Sequence, residues 1–447
     1  MSIAYLLEFR YCKEVESYAS IKIMQAAQAH DKEDIMRQES IQSIELSNGV
    51  RILTEKVPGI RSVALGIWIG SGSRMEIPGE EGVSHFIEHL MFKGTKRRTA
   101  RDIAESLDAV GGQLNAFTAK EMTCYYARVM DEHLPLAVDV LTDMLFNSTF
   151  EKKALDKERG VVKEEISMYE DTPDELIHDV FLATAWPDNP LGKPVLGTIQ
   201  SLDEIDRNVV KNYIERQYVP EKIVIAAAGC LEHEAVQTLL RPIFETLTKR
   251  SQPALHPAPA GLSGMTKKLT KPTGQMQICL GTQGISIADE RNYPLYILNN
   301  ILGGGLSSRL VQSIREERGL AYSVYSFNNS FKDAGIFAFY AGTAPSAAGQ
   351  VIELFQKEMD NLCSQGVTQA EFDRAKAQVR GSLYMGIESV SNHMNRLGRN
   401  MLLLDKIIPP EETIRKVENV CIEDIQKLAA YLFHNQPHVL ATIGPEM

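Results

Sequence analysis

The sequence predicts an α+β protein built as two homologous repeats, each a mixed or antiparallel β-sheet packed against helices. Strand-like and helix-like stretches interleave from residue 41 onward. The text of residues 150–157 returns at 367–374, an offset of 217, and the apolar run 223–229 returns at 439–444, an offset of 215. A stretch rich in Pro, Ala and Gly lies between the two copies. The expected organisation is an N-terminal extension over 1–40, a first domain over 41–250, a linker over 251–267 and a second domain over 268–447.

The 447 residues are 44% hydrophobic and 23% charged, which supplies core for two to four domains. A formal net charge of -11 argues against a protein made to coat nucleic acid. No run of 18 apolar residues predicts a membrane span, and the first residues lack the pattern of a secretory signal. Six scattered cysteines with no C-x-x-C pair read as reduced thiols, so the expected compartment is cytoplasmic.

In order, residues 43–46 and 50–54 flank Asn48-Gly49 as a β-hairpin. Residues 62–69 read as an apolar strand ended by glycines. A helix is expected over 82–95 and another over 100–110. Residues 111–118 and 123–129 read as a turn and two paired strands. Helices follow over 134–146, 151–169, 175–185 and 202–215, then a buried strand over 223–229.

The chemistry sits on the helix near residue 85. Its sequence His85-Phe86-Ile87-Glu88-His89 places two imidazoles one turn apart, about 40° from each other around the axis. Phe86, Leu90 and Met91 can face a core, while Ser84 or a residue just before it can cap the helix. Two His on one face can share a metal ion, and Glu88 falls within reach of a water on that ion. The order is the reverse of H-E-x-x-H. A third ligand is sought in the helix over 151–169, where Glu158, Glu164 and Glu165 are candidates. Glu158 and Glu165 share a face to within about 20°, and Glu164 lies about 100° from Glu165. At the repeat offset these two positions hold Ala375 and Ser382, and the motif region reads Tyr296 to Leu302. One metal site per chain is therefore expected. A basic patch (Lys93, Lys96, Arg97, Arg98 and Arg101) reads either as a solvated face or as an attractor of acidic substrate segments.

These motifs resemble the insulinase/pitrilysin clan of zinc peptidases, peptidase family M16. Bacterial homologues of the mitochondrial processing peptidase β-subunit are the most similar in pattern. The resemblance rests on His85 to His89 with Phe92-Lys93-Gly94-Thr95, and on Asn115-Ala116-Phe117-Thr118. It also rests on Ser307 to Leu310 with Arg315 to Tyr322, and it spans about 42–447. It implies the LuxS/MPP-like metallohydrolase fold and a zinc endopeptidase that cuts extended or unfolded peptides, such as presequence-like segments. In the family the third ligand lies about 76 positions after the second His, which selects Glu165. The resemblance further implies one Zn2+ held by His85, His89 and Glu165, Glu88 as catalytic base, and Glu158 as an auxiliary acid. Asn115, Ala116 and Phe117 would form the strand edge that binds substrate. Arg315 and Tyr322 would contact it near the scissile bond. Gly303-Gly304-Gly305 stands where the family's noncatalytic partner carries a glycine-rich loop, though a plain turn reads equally well here.

Clan members with four repeats close around their substrate. By that resemblance this two-repeat chain pairs with a second chain, a copy of itself or an inactive homologue, and the homodimer is the expectation. The competing reading is a noncatalytic scaffold or assembly subunit of a processing-peptidase-like complex. Intact His85, Glu88, His89 and Glu165 argue against it. Ligand types favour zinc without excluding manganese or cobalt.

Overall fold

The computed structural model describes residues 40–249, 258–259, 261–262 and 264–446. Most of the expected extension and linker lies outside the described residues. The first half runs β1 (Ile41–Glu45), β2 (Arg51–Lys56), β3 (Ser62–Ile69), α1 (Val83–Met91), α2 (Ala100–Asp108), β4 (Gln113–Thr118) and β5 (Thr123–Met130). It continues with α3 (Leu134–Asn147), α4 (Lys152–Glu170), α5 (Pro173–Ala185), α6 (Ile199–Glu204), α7 (Arg207–Gln217), β6 (Ile223–Gly229) and α8 (His233–Phe244). The second half runs β7 (Met265–Thr270), β8 (Met276–Gln283), α9 (Asn292–Gly303), β9 (Ala321–Ser330), β10 (Gly335–Thr343), α10 (Ala348–Gln365) and α11 (Gln369–Gly386). It ends with α12 (Val390–Leu404), α13 (Pro410–Glu418), α14 (Ile422–Phe433) and β11 (Val439–Gly444).

The sheet orders are β1-β2-β6-β3-β5-β4 and β7-β11-β8-β10-β9. Leaving out β1, the two are the same topology. In each, one parallel pair (β2 with β6, β7 with β11) joins a run of antiparallel neighbours. The predicted α+β duplication is thus present. Two details differ from the sequence reading. β7 begins at Met265, inside the stretch expected as linker. The helical text over 202–215 is two helices, because Asp206 starts α7 by accepting the Asn208 and Val209 amides.

Each sheet buries both faces. One face of the first sheet packs on α1 and α3, with Val63, Leu65, Ile67, Tyr125 and Ala127 meeting Phe86, Ile87, Leu90 and Leu141. The other face takes a helix from the second half: Ala64, Trp68, Cys124, Val224, Ala226 and Ala228 pack on Val390, Met394, Leu397 and Leu402 of α12. The second sheet is covered reciprocally by α5, whose Ile177, Phe181 and Leu182 meet Cys279, Ala338, Val439 and Ala441. Close approach explains Gly398 in α12. A Cβ there would fall 2.2 Å from Nε1 of Trp68.

Polar groups tie the same seam. Fully buried Arg74 bonds Glu121 at 2.6 Å and Asp333 at 2.7 Å, linking the β4–β5 and β9–β10 hairpin tips. Glu55 on β2 pairs with His393 and Arg396 of α12.

Candidate metal centre

Helix α1 is fixed at its start from outside. Gly82 is the N-cap residue, at φ 90°, and no side chain of the helix caps it, contrary to the expectation for Ser84. The Glu76 carboxylate does so instead. It accepts the Gly82 amide at 2.8 Å, the Ser84 amide at 3.0 Å and the Ser84 hydroxyl. An anion at a helix N-terminus satisfies orphan amides and favours the dipole. Burial nonetheless pushes Glu76 up to about 7 against those donors.

The anchored helix presents His85 and His89 toward α4. Nε2 of His85 lies 3.8 Å from Oε1 of Glu165, and Nε2 of His89 lies 3.4 Å from Oε2 of Glu165. The three residues together bring one ligand atom each within 4.8 Å of one another. Two donors of one tetrahedral zinc, at bonds of about 2.0–2.2 Å, stand about 3.3 Å apart. The trio therefore fits zinc in donor type, and the His89–Glu165 separation of 3.4 Å is close to that spacing. Glu164 points to solvent, so the geometry separates it from Glu165.

The two imidazoles are held differently. Nδ1 of His89 bonds Oε1 of buried Glu158 at 2.9 Å, and that oxygen is also 2.9 Å from Nζ of Lys93. A carboxylate behind a ligand His fixes its tautomer and ring. Burial alone would raise the Glu158 carboxyl, but His89 and Lys93 outweigh it and bring it below the ordinary value. His85 has no such support, since its buried Nδ1 lacks a hydrogen-bond partner among the described residues. Burial, then the neighbouring His89, lowers His85 to about 4, so its ring is neutral and its lone pair available.

Glu88 is half-buried beside this trio. Burial raises its carboxyl, and the charge of Glu165 adds to that, while a Thr118 hydrogen bond opposes it. Oγ1 of Thr118 donates to Oε2 of Glu88 at 2.6 Å. Thr118 ends β4, the edge strand of the first sheet, on which Asn115, Ala116 and Phe117 also stand. Leu114 and Ala116 pack toward the α1 face, and the Phe117 ring goes to the opposite face against Trp68 at 5.5 Å. Sequence reasoning placed Thr118 only in the substrate-edge motif, with no contact to Glu88, and assigned no role to Glu76. Strand alternation would have placed Thr118 on the face of Ala116.

Arg315 and Tyr322 lie in the second half. The guanidinium sits 5.0 Å from the Tyr322 ring centre, and Tyr322 is 80% exposed at the start of edge strand β9. Within one chain no hydrogen bond or ion pair among the described residues joins them to the trio. Gly303 ends α9 tightly against Ser326, and Gly304 and Gly305 follow it as a bend at the surface. The basic patch is largely neutralised in place: Arg97 and Arg98 bond Asp139 and Asp143, Arg101 bonds Glu105, and Lys93 bonds Glu158.

Fold and donors together define a class, an α+β protein with an inverted two-histidine, one-glutamate set of candidate metal ligands. Residues 51–199 match the family model for insulinase, peptidase family M16, and residues 204–379 match that of the peptidase M16 inactive domain. YmxG of Bacillus subtilis, named an uncharacterized zinc protease, is 43% identical over 398 residues, covering 89% of this chain and 97% of its own. An uncharacterized zinc protease of Streptomyces coelicolor is 42% identical over 407 residues, covering 90% and 88%. The chain belongs to peptidase family M16. Its fold also matches a peptidase M16 inactive domain from Pseudomonas fluorescens, at TM-score 0.86, 20% identity and coverage of 91% and 98%. A protease from Helicobacter pylori matches at TM-score 0.83, 21% identity and coverage of 91% and 99%. No helix of the described residues is long and apolar enough to cross a membrane.

Proposed function

We propose that the protein is a zinc-dependent endopeptidase acting on extended or unfolded peptides, with one zinc per chain. The observation that carries this reading is the convergence of His85, His89 and Glu165, with Glu88 beside them. The relatives' names as zinc proteases support the choice of metal. Zinc held by the three residues would supply Lewis acidity toward a scissile carbonyl and lower the pKa of a water.

The chain's own groups do the rest. Glu88 takes the water's proton and returns it to the leaving amine. Thr118 engages Oε2 of Glu88 and leaves Oε1 for that exchange. Glu158 keeps the Nδ1 hydrogen of His89, so Nε2 is the ligating atom. The free edge of β4 offers backbone groups to an extended peptide, which selects against folded substrates. Arg315 and Tyr322 would hold the peptide or the developing oxyanion. Because they bond no residue of the trio within one chain, this role fits a second copy that closes over the first, a homodimer.

The test is hydrolysis of an unstructured peptide library by the purified chain beside its Glu88→Gln variant. Cleavage by the parent alone supports the reading. Zinc bound without cleavage by either would point to a heterodimer with an inactive homologue. Absence of zinc after supplementation would replace the reading with a noncatalytic scaffold.

A further inference from the structure

Thr118 stands where the substrate edge and the base meet. The hairpin register fixes which way its backbone points. At the tip, the Ala119 amide donates to the Met122 carbonyl at 2.8 Å, so Ala119 and Met122 are a hydrogen-bonded pair. Antiparallel pairs alternate between bonded and non-bonded. Thr118 with Thr123, and Ala116 with Tyr125, are therefore non-bonded pairs. Their N–H and C=O groups turn away from β5 toward the free edge of the sheet. At Ala116 the outward amide is taken by Oδ1 of its neighbour Asn115, at 2.8 Å. Thr118 thus presents both backbone groups at this edge. Its side chain, on the α1 face, donates to Oε2 of Glu88 at 2.6 Å.

We infer that Thr118 is a positioning residue that couples docking of a peptide strand on β4 to the orientation of Glu88. This rests on the peptidase reading above. A peptide paired with β4 bonds the Thr118 backbone and so fixes the residue whose hydroxyl aims the base. A peptide bound off this edge leaves the Thr118 backbone unbonded, so the hydroxyl that aims Glu88 is held by the hairpin alone. The coupling selects for substrates able to extend past Thr118.

The test compares Thr118→Val, a near-isosteric change suited to a strand, with Thr118→Ser, which keeps the hydroxyl. Each is assayed for zinc content, for peptide hydrolysis, and for affinity toward an unstructured fluorescent peptide in a Glu88→Gln background. Thr118→Val should lower kcat about tenfold or more, as small misplacement of a catalytic group does. KM, peptide affinity and zinc content should stay within about twofold. Thr118→Ser should recover most of the loss. The inference is overturned if Thr118→Val keeps its kcat. It is equally overturned if Thr118→Ser falls as far, or if affinity or zinc is lost in step with kcat. A parent chain that cleaves no peptide in the same assay would sink the peptidase reading itself, and this inference with it.

Discussion

The two halves share one topology but fill the space between two matching helices, α1 and α4 in one and α9 and α11 in the other, differently. In the first half, α1 faces α4 across His85, Glu88, His89, Glu158 and Glu165, and a carboxylate as buried as Glu158 stands among them. In the second, α9 meets α11 through apolar packing. Ala375, the residue 217 positions after Glu158, is buried with Phe372, Leu298 and Ile301. One copy keeps polar contacts at this junction, and the other fills it with apolar side chains. A buried ionic group stabilises a fold weakly compared with apolar packing of the same volume. The first half's polar junction therefore adds little to stability, which the common frame supplies.

Four changes would break or sharpen this contrast. The largest effect is expected from Glu88→Gln, which should cut peptide hydrolysis about a thousandfold, read as kcat at unchanged zinc content. Equal activity in that variant would place the chemistry elsewhere. Next, the residues at the matching positions 158 and 375 can be exchanged between the halves. Ala375→Glu should destabilise the fold by about 3 kcal/mol in denaturant unfolding, because a carboxylate there is buried without a partner. Glu158→Ala should cost less stability than that, because its partner Lys93 is partly exposed, and should weaken zinc binding about 10–100-fold, measured by competition with a chelator.

A smaller effect concerns the exchanged helices. Gly398→Ala drives a methyl into Trp68, and Gly281→Ala one into the Phe337 carbonyl oxygen and the Phe181 ring. Each should cost about 1–3 kcal/mol as overpacking, one under α12 and one under α5. Matching losses would show that both seams are equally tight.

The smallest effect is in acid. Burial acts to raise Asp143 in the first half, but Thr95, Arg97, Arg98 and Asn147 outweigh it and hold it at about 2. Glu371 in the second half is likewise held at about 2 against burial, by Arg309 and Thr368. Both folded values lie below the ordinary 3.8 and 4.5. Their stabilisation is therefore complete above those values and disappears as the pH falls toward 2. Acid unfolding followed by circular dichroism should show one transition for both halves. Two separated transitions would mean that the halves titrate and unfold independently.

Much of this was legible in the sequence. The duplication showed as offsets of 217 and 215, because packing preserves helix phase and strand length between copies. His85, Glu88 and His89 were legible because helical spacing fixes their shared face. What escaped depends on contacts between distant segments. An amphipathic helix reveals that it is covered but not by which sheet, so the exchange of α5 and α12 left no local trace. Glu76 caps a helix that starts several residues later, across a turn. The basic patch reads as exposed charge until Asp139 and Asp143 arrive from α3. The break at Asp206 was readable, since an aspartate there is a common helix start, and the long helical text concealed it.

The exchanged helices also bear on how such a protein can be divided. Cut at its linker, each half would keep a sheet whose second face is bare, with Trp68, Ala226 and Ala228 uncovered on one and Cys279, Ala338 and Ala441 on the other. Each severed piece would also carry a loose apolar helix, the lid of its neighbour. The two pieces are then mutual ligands, and mixing them should rebuild the whole. A molecule with a single repeat of this design would cover its open face by trading its helix with a second molecule, as in a swapped dimer.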